Sequence, residues 1–190
     1  MEKIKLFAQG DYEDIELEFR EVDLVGAENV HEVLEQVSDN NIVYAKKNAV
    51  VSAKPAVLGE EVDTNPRCEI DGKVYTFSET KRVIAQKDLD NNSVLVQNPD
   101  GEVYVVKGEK FAKTYEACEG GYRAVDSEKK FVTVTENICF KAPWGEMIYS
   151  PKGSKLCVEY LDSRDIYSVT NSAFNATYAE VEMNFEAEAE

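Results

Sequence analysis

The chain repeats itself. Displaced by 63 residues and without a gap, it sets Phe77 on Phe140, Tyr104 on Tyr167 and Val106 on Val169. In the same register Phe111 falls on Phe174, Thr114 on Thr177 and Tyr115 on Tyr178. Like also meets like at Ile84 and Met147, Leu95 and Val158, and Val103 and Ile166. Four of the six identities are aromatic, and aromatic side chains are the largest contributors to a core. A repeat at this spacing implies one supersecondary unit used twice, with the copies burying faces that either alone would leave wet. We place copy one at residues 43–118 and copy two at 122–182, behind an N-terminal extension (1–42) and ahead of an acidic tail (183–190).

The repeated stretch reads as β-structure closed by a short helix. Val94-Leu-Val96 leads into Gln97-Asn-Pro-Asp-Gly101, and Glu102-Val-Tyr-Val-Val106 returns. Pro-Asp-Gly between two β-branched runs predicts a hairpin. Tyr104 and Val106, two apart, share one face of the returning strand. Gly108 to Tyr115 then predicts one helical turn, with Phe111, Thr114 and Tyr115 on one side. In copy two, Asn171 or Ser172 is the expected N-cap. The extension reads as ββα: Lys3–Phe7 and Ile15–Val22 alternate like strands, and Val30, Val33, Leu34 and Val37 fall at helical spacing before Ser38-Asp-Asn-Asn. The expected fold class is α+β, mainly β, as two similar small modules in tandem. Local spacing leaves open whether residues 1–42 form a domain of their own or join the first module's sheet.

Gly101-Glu-Val-Tyr104, six residues, then Phe111-Ala-Lys-Thr-Tyr-Glu116 resembles the C-terminal signature of the small phage and prophage proteins of the PGDYG family. Copy two keeps it as Asp165-Ile-Tyr167, six residues, Phe174-Asn-Ala-Thr-Tyr178. The eponymous turn is replaced by Lys87-Asp-Leu-Asp-Asn-Asn92 in copy one and survives only as Pro151-Lys-Gly153 in copy two. The resemblance covers mainly residues 74–117 and 138–181. It implies a β-rich fold and a phage or prophage origin, without an activity.

Charge narrows the partners. With 37 acidic against 21 basic residues the net charge is -16, which repels phosphate backbones, so no nucleic-acid partner is expected. Residues 11–36 carry ten Asp or Glu with Arg20 the only Lys or Arg among them. Such a face keeps a protein in solution or meets a basic partner. No apolar run approaches the roughly 20 residues that cross a bilayer, and no signal peptide opens the chain, so a cytoplasmic location is expected, in the host cell or the virion if phage-encoded.

Catalytic chemistry has little to stand on. The single histidine, His31, reads as a surface residue of the helix. Cys68, Cys118, Cys139 and Cys157 form no C-x-x-C pair, so the expectation is reduced thiols and neither metal nor cofactor. Asp88 with Asp90, and Asp162 with Asp165, lack EF-hand spacing and read as solvated turns. Tyr104, Tyr115, Tyr167 and Tyr178 are core residues or the lining of an aromatic pocket between the modules. Trp144, in Ala142-Pro-Trp-Gly-Glu146, is a lid over the core or an exposed anchor. The functional expectation is a non-enzymatic binding protein that engages a host or phage protein, or a small ligand, at the inter-module cleft. The alternatives are a virion or assembly component packing as a homo-oligomer, and an enzyme of unrecognised type.

Overall fold

The computed structural model describes residues 1–125, 128–161 and 164–181; Asp162 and the acidic tail lie outside them. The chain opens with strands β1 (Glu2–Ala8) and β2 (Ile15–Glu21) and helix α1 (Val30–Val37). Strands β3 (Val43–Lys47), β4 (Val50–Pro55), β5 (Glu61–Val62), β6 (Arg67–Ile70), β7 (Lys73–Thr76) and β8 (Arg82–Val83) follow. Next come helix α2 (Gln86–Asp90), the hairpin β9 (Val94–Gln97) and β10 (Val103–Val106), helix α3 (Gly108–Thr114) and β11 (Tyr115–Cys118). The second half holds β12 (Gly121–Ala124), β13 (Lys129–Thr133), β14 (Ile138–Lys141), β15 (Met147–Ser150), β16 (Lys155–Tyr160) and β17 (Asp165–Val169). Helix α4 (Asn171–Thr177) and β18 (Tyr178–Glu180) close it. The fold is α+β and mostly β. Among the described residues no helix is long and apolar enough to cross a membrane.

Three sheets carry the architecture. A six-stranded sheet runs β15-β14-β2-β1-β7-β6, with β14 and β2 parallel and every other pair antiparallel. The N-terminal hairpin therefore joins the fold at the middle of this sheet, between β7 and β14. Two antiparallel five-stranded sheets follow, β10-β9-β4-β12-β11 and β17-β16-β13-β3-β18. Strand β3 pairs with β13 and β18, whereas β12 pairs with β4 and β11. Residues 43–118 and 122–182 thus each place one strand in the sheet built mainly by the other. Gly121 marks how tightly β12 seats: a Cβ there would stand 2.3 Å from the Val51 carbonyl oxygen, at φ +154°.

The second five-stranded sheet is buried on both faces, and its period-2 alternation explains how. Val132, Leu156, Val158 and Ile166 face α1, packing on Val30, Leu34 and Val37. Their neighbours Phe131, Cys157 and Tyr167 face the other way, with Ala45, Phe174 and Tyr178. The first five-stranded sheet packs Leu95 and Val103 with Ala56, Val62 and Ile84 on one face. Its other face carries Tyr104.

Local readings and structure differ at two points. The N-cap of α4 is Thr170, whose hydroxyl accepts from the Ala173 N–H at 3.2 Å, and neither Asn171 nor Ser172. Asn171 is used across the fold instead: its Oδ1 accepts from Glu69 N–H (2.9 Å) and its Nδ2 donates to the Glu69 carbonyl (2.7 Å), fastening α4 to β6. Residues 86–90 are helix α2 and no solvated turn. Asp88 is buried, accepting from the Ala85 N–H (2.9 Å) at the helix start and from Arg82 (2.8 Å). A carboxylate at that position satisfies an amide that the first helical turn leaves orphaned. The Pro-Asp-Gly hairpin is present, with Gly101 at φ +96°.

Candidate functional site

The two strand–helix–strand segments invite comparison, because α3 and α4 lie 63 residues apart and cap different interiors. In both, the paired rings stack: Phe111 on Tyr115 at 5.1 Å and Phe174 on Tyr178 at 5.2 Å between centroids. Beneath α4 the space is filled. Phe131 meets Phe174 and Tyr178 edge-on, both at 5.3 Å, and α4 buries Ala173, Phe174 and Thr177. Helix α3 buries none of its residues.

Pairing registers also differ between the two sheets. In the second sheet Phe131, Cys157 and Tyr167 lie in one cross-strand row. The row through Tyr104 in the first sheet reads Ala53, Val96, Tyr104. Where one row holds a phenylalanine, the other holds an alanine. The first sheet's bulk sits one strand over, in Tyr122, which meets Phe111 edge-on at 5.1 Å.

A cleft of about 420 Å³ lies against α3, lined chiefly by Lys47, Tyr104, Val106, Lys110, Thr114 and Tyr115. A narrow crevice behind it, about 10 Å³, reaches Asn98, Val51 and Thr177. A second cleft, about 410 Å³, lies on the other side of Tyr104 and Lys47 and is walled by Phe77, Tyr149, Tyr178 and Glu102. Lys47 comes from β3, the strand that pairs in the second sheet, so the site is assembled where the two five-stranded sheets meet. Its ammonium lies 5.9 Å from the centre of the Tyr104 ring. The floor is polar and buried. Glu102 and Asn98 are each 4% exposed, and the Tyr104 hydroxyl lies beside both.

Burial dominates the electrostatics here. It pushes the Glu102 carboxyl up to about 7, aided by the Asp100 carboxylate, against the pull of the Tyr104 hydroxyl, Arg67 and Lys47. Burial likewise raises the Tyr104 phenol, with Glu102 adding to it. A carboxyl that changes charge near neutral pH at the base of a cleft is unusual outside ligand sites and ion-pair networks.

The residues singled out from the sequence separate. Tyr104 and Tyr115 line the main cleft, and Tyr104 and Tyr178 line the adjoining one. Tyr167 packs in the second sheet's core, its hydroxyl against Cys157. Trp144 stands 61% exposed on its turn, its indole N–H donating to Glu146 at 2.8 Å. His31 is exposed on α1. Cys68, Cys139 and Cys157 are buried and Cys118 half-buried, all as free thiols. Among the described residues no three His, Cys, Asp or Glu side chains gather as a metal site requires. Sequence reasoning missed Lys47, Asn98, Glu102 and Lys110. Glu102 and Lys110 lie inside the repeated motif and Asn98 in its turn, but Lys47 reaches the site only through strand exchange. No family model matches the chain, and neither a curated protein nor a solved structure matches it.

Proposed function

We propose that this is a binding protein of phage or prophage origin, built from two copies of one β-rich module, whose cleft beneath α3 holds a small ligand. The carrying observation is the contrast between the two copies: Phe131 and Phe174 fill one interior, and about 420 Å³ stands open at the matching place in the other. After a duplication, stability alone gives no reason to keep one copy unfilled, since an open apolar row forfeits packing. The placement of β3 in the second sheet supports the reading, because it sets Lys47 at the mouth of a cleft whose other walls belong to the first sheet and α3. Small-molecule sites favour such junctions, with apolar walls and a few convergent polar groups.

Native mass spectrometry of the protein purified gently from a bacterial host lysate tests this. A small adduct on the wild type that is lost in Ala124→Phe, which adds bulk to a residue lining both the cleft and its crevice, with the fold retained, supports a ligand in the cleft. An adduct that survives the substitution places the ligand elsewhere. A co-purifying host protein in place of any adduct overturns the small-ligand reading in favour of a protein partner.

A further inference from the structure

We propose that a groove between α1 and the start of β3 is a docking surface for the chain's own residues 182–186, which continue β18 along β3 and seat Met183 and Phe185 against Ile42. The groove lies on the opposite face of the second five-stranded sheet from Phe131 and Tyr178, and it shares no residue with the clefts around Tyr104.

The receiving surface is a pocket of about 200 Å³. His31, Leu34 and Glu35, at i, i+3 and i+4, give it one wall from α1. Val158 and Val132 floor it, and Ile42, one strand further out, forms its rim. Val132 is 3% exposed, whereas Ile42 beside it on the same face is 50% exposed. A large aliphatic side chain left half in water at the end of a buried row has apolar area still to bury.

Strand pairing brings the chain's own continuation to this place. β18 runs antiparallel to β3, with Tyr178 on Lys47, Ala179 on Lys46 and Glu180 on Ala45, and the Val181 N–H donates to the Tyr44 carbonyl at 2.7 Å. Carried on without a shift, that register sets Met183 opposite Ile42. Backbone groups two residues apart on a strand point to the same side, so the Ile42 N–H and carbonyl face the edge on which Tyr44 receives Val181. Side chains follow the same period. Tyr178 meets Phe131 on one face, so Val181, Met183 and Phe185 belong to the other, the face of α1.

The sequence fits that geometry. Val181, Met183, Phe185, Ala187 and Ala189 alternate strictly with Glu182, Asn184, Glu186, Glu188 and Glu190, with no Pro or Gly among them. The largest apolar side chains of this run are Met183 and Phe185, the two that the register brings to Ile42 and the pocket. Pairing stops soon after, because the β3 side turns at Asn40, which stands at φ +55°. A segment joined covalently at Val181 starts at the groove, at an effective concentration that a second molecule in solution does not match.

The test is hydrogen exchange of the Ile42 amide in the full chain, read by nitrogen–proton correlation NMR, together with proton–proton NOEs from the Phe185 ring. The wild-type amide is expected to be protected, with NOEs from the ring to the Leu34 or Ile42 methyl groups. Met183→Asp combined with Phe185→Asp is expected to speed exchange at Ile42 about tenfold or more, and Asn184→Asp, on the opposite face, to leave it unchanged. If the double variant unfolds, the wild-type NOEs decide alone. An Ile42 amide that exchanges freely in the wild type, or at one rate in the wild type and the double variant, overturns the docking. Equal acceleration by Asn184→Asp overturns the assignment of Met183 and Phe185 to the α1 face. Protection and NOEs that fade on tenfold dilution overturn docking within one chain in favour of exchange between two copies.

Discussion

Replacing Glu102 by Gln should raise the stability of this protein at pH 8 and remove part of its pH dependence. Glu102 ends the turn between β9 and β10. Its N–H donates to Asp100 Oδ1 at 3.1 Å and its carbonyl accepts from the Asn98 N–H at 2.9 Å, so the backbone fixes the residue whatever its charge. The side chain is 4% exposed, and burial together with the neighbouring Asp100 lifts its carboxyl from an ordinary 4.5 to about 7. The folded state therefore binds the proton more tightly than the unfolded chain does. A raised carboxyl gives its full stabilisation below the unfolded value near 4.5 and loses it as pH climbs through about 7. At about 1.4 kcal/mol for each pH unit between those values, the swing is about 3 kcal/mol.

Glutamine keeps the size and one donor–acceptor pair for the Tyr104 hydroxyl while never ionising. Urea unfolding at pH 4.5, 6, 7 and 8 should show the variant close to wild type at the acid end. It should then gain steadily, to about 2–3 kcal/mol at pH 8. Because the other carboxylates titrate alike in both proteins, the difference between the two curves isolates Glu102. The readout should be far-UV circular dichroism, since Trp144 is 61% exposed and its emission has little to report. Parallel curves, with a constant offset across the range, would refute the argument: Glu102 would then titrate equally in the folded and unfolded chains.

The other expectations follow the same contrasts. Phe174→Ala, which empties a site 4% exposed and packed on Phe131, should cost about 3–5 kcal/mol by urea unfolding, whereas Phe111→Ala at the half-buried matching position should cost about 1–2 kcal/mol. Equal losses would mean that the two helices cap equally filled interiors. Asn171→Ala removes both bonds to the Glu69 backbone and should cost about 1–2 kcal/mol, with faster amide exchange at Glu69 as the local sign. Burial pushes the Cys68 and Cys139 thiols up to about 11, so at pH 8 a disulfide reagent should modify Cys118 first, and Cys68 and Cys139 only on unfolding.

Much of the local structure is legible because local rules dominate there. Val30, Leu34 and Val37 announce α1 by spacing, and Pro99-Asp-Gly101 announces the hairpin by the one residue that tolerates its positive φ. What eludes a reading along the chain is pairing between distant segments. Nothing local distinguishes β3, which leaves for the second sheet, from β4, which stays in the first. The same is true of the N-terminal hairpin, whose alternating residues do not say that β1 lies beside β7 and β2 beside β14. Short-range reading fails also where a side chain serves a distant partner: Asn171 looks like a cap by identity, and its amide is spent on Glu69.

The same limit governs the site. An alignment of the repeat sees Tyr104 and Tyr167 as equivalent, and by backbone position they are. Their environments part because the row across the sheet differs, Ala53 and Val96 against Phe131 and Cys157, and these residues are not the ones the 63-residue register matches. Cys157 lies 61 residues beyond Val96, so β9 and β16 meet their partners two residues out of the repeat's step. A two-residue displacement keeps each side chain on its own face, since faces alternate with a period of two, and it can therefore change which residues share a row without turning a face inside out.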